Sequence, residues 1–446
     1  MKKNKRLIII IAIAVVVIAS VFIIAPKSGS GISGWFSGKD SVQAAVKQEN
    51  TVENTKTDNN IVNNEIVETM SNQDSESPDE PATSGEQQET TQENPESIKE
   101  VEKIKVKAIY LSGTSAGTSN ILDRYINLVN STELNAIVID VKESGRVNYL
   151  SSVPTVAENG LYNKYYDVDK VIKKLHDNNI YVIGRVVCFR DDGLASKRAD
   201  LAIKRVNGTI WKEGAQGAWT NPYMEEVWRY NIDIAKEAAS RGFDEIQFDY
   251  VRFPTAKKSE VNYGSNVPSK VETICSFLKM AKEELHDGMD VPVSADVFGI
   301  IAESKSDGEA IGQDIEKVGL DIDSICPMIY PSHYANAGKG VMGNGVGQDI
   351  NGVKFTAPDL KPYEVVYNTL LRVKERTSGI QGYNAVIRPY LQDFTATYIK
   401  NKLYYQEYGV DQVRQQIKAV YDAGYEEWIF WDGRNTYTEA AFEKIQ

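Results

Sequence analysis

Apolar and polar positions divide the chain into three regimes. The first is a block: after MKKNKR come nineteen residues, Leu7 to Ala25, without a single charge. A run of that length can span the hydrocarbon core of a bilayer, which takes roughly 17 to 25 residues. The second, residues 37 to 103, contains no Phe, Trp or Tyr and is dense in Glu, Gln, Asn, Thr and Ser. It cannot bury enough apolar surface to offset the entropy of ordering it, so a disordered tether is expected. The third begins at Lys105, where short β-branched runs alternate with helix-like stretches.

Those runs are KAIYLSG (107–113), NAIVIDVKE (135–143), IYVIGRVVCF (180–189), EIQFDYVRFP (245–254), VPVSADVFG (291–299), IDSICPMIYP (322–331), NAVIRPYLQDF (384–394) and EEWIFWDGRN (426–435). Near-continuous apolar strands, each followed by an amphipathic helix, are the signature of a parallel βα repeat. The stretch YDVDKVIKKLHDNN, with Val168, Val171, Ile172 and Leu175 on one helical face, predicts one such helix. Eight units predict an α/β fold, the (β/α)8 TIM barrel. The rival is an open doubly wound sheet, which is not tied to the number eight. The expected organisation is a cytoplasmic tail and transmembrane signal anchor over residues 1–26, a disordered acidic linker over 27–103, and the barrel over 104–446.

Charge refines this picture. The first 36 residues carry five basic and no acidic residues, and residues 37 to 103 carry five basic and sixteen acidic. Basic residues before the apolar block should stay in the cytoplasm, which places the rest outside a single-pass cell-membrane anchor. A cleaved signal peptide is the alternative, but no A-x-A site follows the run. The net charge of −12 argues against a nucleic-acid partner, whose phosphates need clustered Lys and Arg. Cys188, Cys275 and Cys326 have no C-x-x-C spacing and read as thiols packed as small hydrophobes.

In a barrel, chemistry sits at the C-terminal ends of the strands and in the loops that follow. Those ends carry Asp140, Lys142 and Glu143, then Arg185, then Asp249 and Arg252, then Asp296. They continue with Tyr330 and His333, with Arg388, Tyr390, Gln392 and Asp393, and with Trp431, Asp432 and Arg434. Hydrolysis of a glycosidic bond needs two carboxyl groups, and Asp249 and Asp296 end adjacent strands, within reach of the roughly 5 to 5.5 Å of a retaining enzyme. They are the expected catalytic pair, with Glu143 and Asp393 in reserve for the acid. The bland alternatives are that Asp249 only pairs with Arg252 or Arg185 and that Asp296 caps the next helix. Substrate contacts are expected from Lys142, Glu143, Arg185, Arg252, Tyr330, His333, Arg388, Gln392, Asp393, Trp431 and Asp432. Two-residue alternation puts Asp140 and Lys142 on one side of their strand, where they could pair. Trp211, Trp219, Tyr330, Tyr334 and Trp431 offer flat apolar faces for sugar rings. The long loops after strands three and six are candidate substrate walls.

Two other patterns carry less. Gly338, Gly340 and Gly343 match G-x-G-x-x-G, but with no compact strand-to-helix turn they do not read as a nucleotide site. With His176 and His286 expected on helix surfaces, a histidine zinc site is not expected. No metal and no cofactor are called for.

The runs GFDEIQFDYVRFP, IVIDVKESG, VIGRVVCFRDDGLA, WTNPY, MIYPSHY and IRPYLQDF resemble the putative glycosyl hydrolase domain family of membrane-attached bacterial proteins. The likeness covers nearly all of residues 105 to 440. It implies a barrel related to the α-amylase and α-galactosidase-like hydrolases, with the aspartate ending strand four, here Asp249, as nucleophile. The α-amylase-like pattern implies a glutamate acid ending strand five, where this chain has Asp296. The leading reading is a monomeric, membrane-tethered retaining glycoside hydrolase acting on an extracellular or cell-envelope polysaccharide or oligosaccharide. The alternatives are a non-catalytic glycan-binding barrel and a structural spacer; two carboxylates facing each other across one mouth would favour the enzyme.

Overall fold

A computed structural model describes residues 104–214, 217–338, 346–399 and 401–444. The anchor, the linker, Gly340 and Gly343 lie outside them. Among the described residues no helix is long and apolar enough to cross a membrane.

All eight sequence runs are strands: β1 Lys107–Leu111, β2 Ala136–Glu143, β3 Tyr181–Val187, β4 Glu245–Asp249, β5 Val293–Phe298, β6 Ser324–Met328, β7 in two pieces (Val386–Ile387 and Tyr390–Gln392) and β8 Trp428–Trp431. Each is parallel to its neighbours, and β1 pairs with both β2 and β8, so the sheet closes. This is the (β/α)8 barrel, and the open sheet is excluded by the β1–β8 ladder. The break in β7 falls at Pro389, which has no N–H to give the ladder.

The helices of seven or more residues among those described are α1 Ser119–Ser131, α2 Val168–His176, α3 Glu225–Ser240, α4 Lys270–Met289, α5 Lys305–Ile311, α6 Pro362–Thr377 and α7 Val410–Asp422, and shorter turns such as Asp192–Lys197 lie in the loops. Helix α2 buries the four predicted residues and is capped by Asp167, whose side chain accepts from Lys170 N–H. The βα repeat is weakest after β5, where α5 has only seven residues, and after β8, where a short turn replaces a helix.

Strand alternation builds two cores. Ile109, Ile137, Val182, Phe248, Val297 and Phe430 point outward and pack beneath the helices. Ala108, Ala136, Ile183, Cys326, Tyr390 and Ile429 point inward and fill the barrel. The polar residues inside are stratified along the axis. At the bottom Arg388 bonds Glu245 (2.7 Å), Glu427 (2.8 Å) and Ser324 (3.3 Å). Above that, Gln247 accepts from Tyr390 Oη (2.5 Å) and donates to Cys326 Sγ (3.4 Å). Every buried polar group in these layers has a partner, as a dry interior requires.

One irregularity reshapes the mouth. Against β3, Asp140 pairs with Arg185 but Lys142 pairs with Val186, so Val141 is an extra residue in the ladder, a β-bulge. The bulge shifts the side-chain alternation by one. Asp140 therefore faces inward, while Lys142 faces outward beneath α3. Gly184 makes room for the bulge: a Cβ there would lie 3.0 Å from Val141 Cγ2 and 2.9 Å from Phe243. The loop after β2 then turns at Gly145 (φ +72°) and meets the loop after β3 back to back, so that a Cβ on Gly145 would lie 2.4 Å from Gly193 N.

Candidate active site

At the C-terminal end of the barrel lies a cavity of about 260 Å³, lined among others by Asp140, Glu143, Arg185, Asp249, Arg252, Asp296, Tyr330, His333 and Trp431. Its centre is Arg185. The guanidinium donates through Nη1 to Asp140 Oδ1 (2.6 Å) and Glu143 Oε2 (3.1 Å), and through Nε (3.0 Å) and Nη2 (2.5 Å) to Asp249 Oδ2. Asp296 Oδ2 stands 4.0 Å from the same Nε. Strand β3 thus supplies a single cationic hub that gathers carboxyls from β2 (Asp140 and Glu143), β4 (Asp249) and β5 (Asp296).

The carboxyls around that hub differ in environment. Asp249 Oδ1 accepts from the Tyr250 N–H at 2.5 Å. To aim that N–H, Tyr250 adopts φ +49°, a left-handed conformation that costs a non-glycine residue of order 1–3 kcal/mol. Asp296 is buried, and its Oδ1 has no hydrogen-bond partner. Burial, reinforced by the negative charge of Asp249, pushes the Asp296 carboxyl well above the ordinary carboxylate range. Asp140 accepts from Tyr110 Oη at 2.6 Å, and burial lifts it to about 6 against the pull of Arg185. Burial works against the charge of Arg185 too, but the fields of Asp249, Asp140 and Glu143 hold it firmly protonated.

The remaining wall is aromatic. Trp431 lies 5.8 Å from Tyr330 and 6.3 Å from Tyr110, ring centre to ring centre. His333 sits edge-on to Tyr330 at 4.9 Å, and its Nε2 has no protein partner. Burial alone depresses the His333 imidazole to about 3, so it is neutral. The unfolded chain would bind a proton there near the ordinary 6.5, so His333 opposes folding increasingly as the pH falls below 6.5. Replacing it with Phe, which suits the neighbouring Tyr330, Phe394 and Tyr398 rings, is expected to flatten that loss. Between pH 6.5 and 5 the wild type should lose roughly 1.6 kcal/mol more than His333→Phe, the slope rising towards 1.36 kcal/mol per pH unit as the unfolded imidazole becomes fully protonated. Parallel denaturant melts measure it, and identical pH slopes would refute it.

Several expected site residues lie elsewhere. Lys142 has 0% exposure and does not pair with Asp140; the bulge sends its Nζ to Asp191 Oδ2 (2.6 Å), Asn231 Oδ1 (2.8 Å) and the Cys188 carbonyl (3.3 Å). Arg388 belongs to the bottom layer, because it precedes the break in β7. Gln392 is buried, bonding Ser332, Asp359 and the Phe394 carbonyl, and so ties down the loops after β6 and β7. Asp393 accepts from the N–H and hydroxyl of Thr438, which removes it from reserve for the acid. Asp432 accepts from the N–H groups of Arg434 and Thr436 in the turn after β8. All of these are loop-bracing or core groups, and none lines the cavity. Of the five expected aromatic platforms only Tyr330 and Trp431 line it; Trp211, Trp219 and Tyr334 are buried.

The two bland alternatives divide. Asp249 does bond Arg185, yet no ion pair joins it to Arg252, and Asp296 caps no helix. His176 and His286 lie at the ends of α2 and α4, bonded to Asp244 and Asp323.

Sequence reasoning missed Tyr110, Arg190, Tyr250 and Phe298, which also line the cavity. Tyr110 was legible, since it follows the inward Ala108 in β1 just as Asp140 follows the inward Val138 in β2. Arg190 and Tyr250 carried no such signal, because both follow their strand ends, where alternation no longer applies.

No curated protein matches this chain. Among solved structures, a hypothetical protein from Ruminiclostridium thermocellum ATCC 27405 is 47% identical over a match covering 43% of this chain and 99% of its own, with a TM-score of 0.41. The PgaB (BpsB) glycoside hydrolase domain from Bordetella bronchiseptica is 10% identical, covers 77% of this chain and 100% of its own, and has a TM-score of 0.54. That likeness speaks for the barrel alone. The family described as "putative glycosyl hydrolase domain" matches residues 108–437, the whole closed barrel with its charged mouth, and the chain belongs to that family.

Proposed function

We propose that this protein is a retaining glycoside hydrolase, anchored in the cell membrane by residues 1–26, extended by the linker 27–103, and acting outside the cell on a polysaccharide or oligosaccharide. The observation that carries the reading is the sharing of one guanidinium by two unlike carboxyls. Asp249, bonded to Arg185, is the nucleophile that attacks the anomeric carbon. Asp296, kept protonated by burial and by Asp249, donates its proton to the leaving oxygen and later removes one from the incoming water. A single Nε atom lies 3.0 Å from one carboxyl oxygen and 4.0 Å from the other, which bounds their separation at about 7 Å and keeps the roughly 5 to 5.5 Å of a double displacement within reach. Two carboxyls in one mouth also favour an enzyme over a glycan-binding barrel. Tyr330 and Trp431 supply apolar faces for the sugar.

The test uses the chain from about Glu100 onward, which is expected to be soluble, monomeric and cooperatively folded because the linker offers no apolar face to pack. Aryl glycosides and purified wall polymers are screened, and the anomeric configuration of the first-formed product is read by NMR. A retained configuration supports the mechanism; inversion removes Asp249 as nucleophile, and glycan binding without turnover leaves a binding barrel. Deleting residues 1–26 from the full chain should release it from the membrane fraction, and continued membrane association would remove the anchor.

A further inference from the structure

The cavity holds three arginines, and only one is neutralised. Arg185 takes all the close carboxylates. Arg252, 2% exposed, makes one hydrogen bond, from Nη1 to the Phe253 carbonyl (3.0 Å), and its Nη2 has no partner. Arg190 donates to Tyr250 Oη (2.9 Å). Among the described residues, neither Arg190 nor Arg252 has a carboxylate in ion-pair contact. Glu213, whose field reaches both, is bonded instead to Trp219 Nε1 at 3.0 Å. The two guanidinium carbons lie 5.0 and 5.3 Å from the same Tyr250 ring, and Arg252 is also held against Trp219 and Phe298, each at 4.8 Å.

Two cations gathered on one aromatic ring repel each other, and the fully buried one, Arg252, has lost its water. Such an arrangement is costly in a protein that needs nothing there, and an anion would relieve it. The aromatic contacts hold Arg252 with its Nη2 unpaired, a charge-assisted donor for one oxygen of a carboxylate, and Arg190 on the same Tyr250 ring can take the other. Resting on the reading of this cavity as a glycosidase site, we propose that the sugar it accepts carries a carboxylate, as a hexuronic acid does, and that Arg252 and Arg190 bind it.

The experiment compares matched aryl hexuronosides and hexosides of glucose and galactose, in both anomers, with wild type, Arg252→Met and Arg190→Gln. Separately, calorimetry measures binding of free glucuronate and galacturonate against glucose, galactose and glucose 6-phosphate. Wild type should prefer a hexuronoside in kcat/KM, and each variant should lower the uronoside-to-hexoside ratio, by on the order of 100-fold for Arg252→Met. Arg190 is only part-buried, so Arg190→Gln keeps the test open if Arg252→Met does not fold. Cleavage of neutral hexosides as well as or better than hexuronosides would overturn the inference while leaving the hydrolase intact. Cleavage of neither class would remove the hydrolase reading, and the calorimetry would then decide the inference alone: no uronate binding, or tighter binding of the phosphate, overturns it.

Discussion

Asp249→Asn is expected to lower kcat for a cleaved glycoside by on the order of 10⁴-fold or more while leaving binding of the same glycan largely intact. The amide keeps the size of the carboxylate and loses the lone-pair charge that attacks the anomeric carbon. One local conflict follows from the geometry. The carboxylate now accepts from Arg185 on one oxygen and from Tyr250 N–H on the other, so in either orientation the amide NH2 meets a donor. That mismatch costs about 1–3 kcal/mol of stability, small enough to leave a folded protein for the binding measurement. Asp296→Ala should behave differently. Substrates with poor leaving groups should slow by roughly 10²- to 10⁴-fold, whereas activated aryl glycosides, which need little protonation, should slow far less. Azide, as a nucleophile that needs no general base, should then partly restore turnover of the activated substrates. Normal activity in Asp249→Asn would remove β4 from the mechanism. An unaffected Asp296→Ala would move the acid to Glu143 or Asp140, the remaining carboxyls of the cavity.

The largest single effect on stability is expected at Asp191. Lys142 and Asp191 are both at 0% exposure, and their 2.6 Å approach lies outside hydrogen-bond geometry, so it acts as a charge pair. Asp191→Asn removes the negative charge but keeps the oxygen that caps the helix turn at Leu194 N–H (2.7 Å). The ammonium is then left with Asn231, the Cys188 carbonyl and the Tyr230 ring face at 4.7 Å. Stranding a buried charge in this way costs about 3–5 kcal/mol. Adding Lys142→Met to the same chain should recover most of that loss, because the orphaned cation is gone and the unbranched chain fills its channel. Denaturant melts of the two single variants and the double variant give the coupling directly. Additive losses would mean that the pair is not coupled. The double variant should also retain turnover, since Lys142 faces α3 rather than the cavity; a stable but inactive double variant would restore Lys142 as a sugar contact.

The fold was legible because barrel strands leave a redundant trace. Each of the eight is apolar on both faces, and burial under helices on one side and inside the barrel on the other requires that of every strand independently, so one misread run would not have hidden the rest. The hub residues were legible for a related reason. Asp140, Arg185, Asp249 and Asp296 are charges embedded in apolar runs, and such charges occur where something compensates them. What compensates them could not be read. That one guanidinium from β3 serves carboxyls from β2, β4 and β5 is a fact of strand order in space, and only closure of the barrel brings those four ends together.

Other assignments were decided below the resolution of any sequence pattern. Lys142 and Asp140 share a side of the strand under strict alternation, and a single bulged residue, Val141, separates them. Arg388 and Gln392 stand in the same strand run, yet Pro389 breaks it and leaves the first at the floor of the barrel and the second under its rim loops. Arg190, Arg252 and Tyr250 lie past their strand ends, where the backbone follows loop packing and a left-handed turn rather than a period of two. The chain by itself therefore determined that eight strands bury both faces and that charges end them, because hydrophobic burial acts residue by residue along the sequence. Which charges meet, which are neutralised and which are left facing the cavity was decided by the tertiary structure, because electrostatic pairing depends on distances of a few ångströms between segments far apart in the chain.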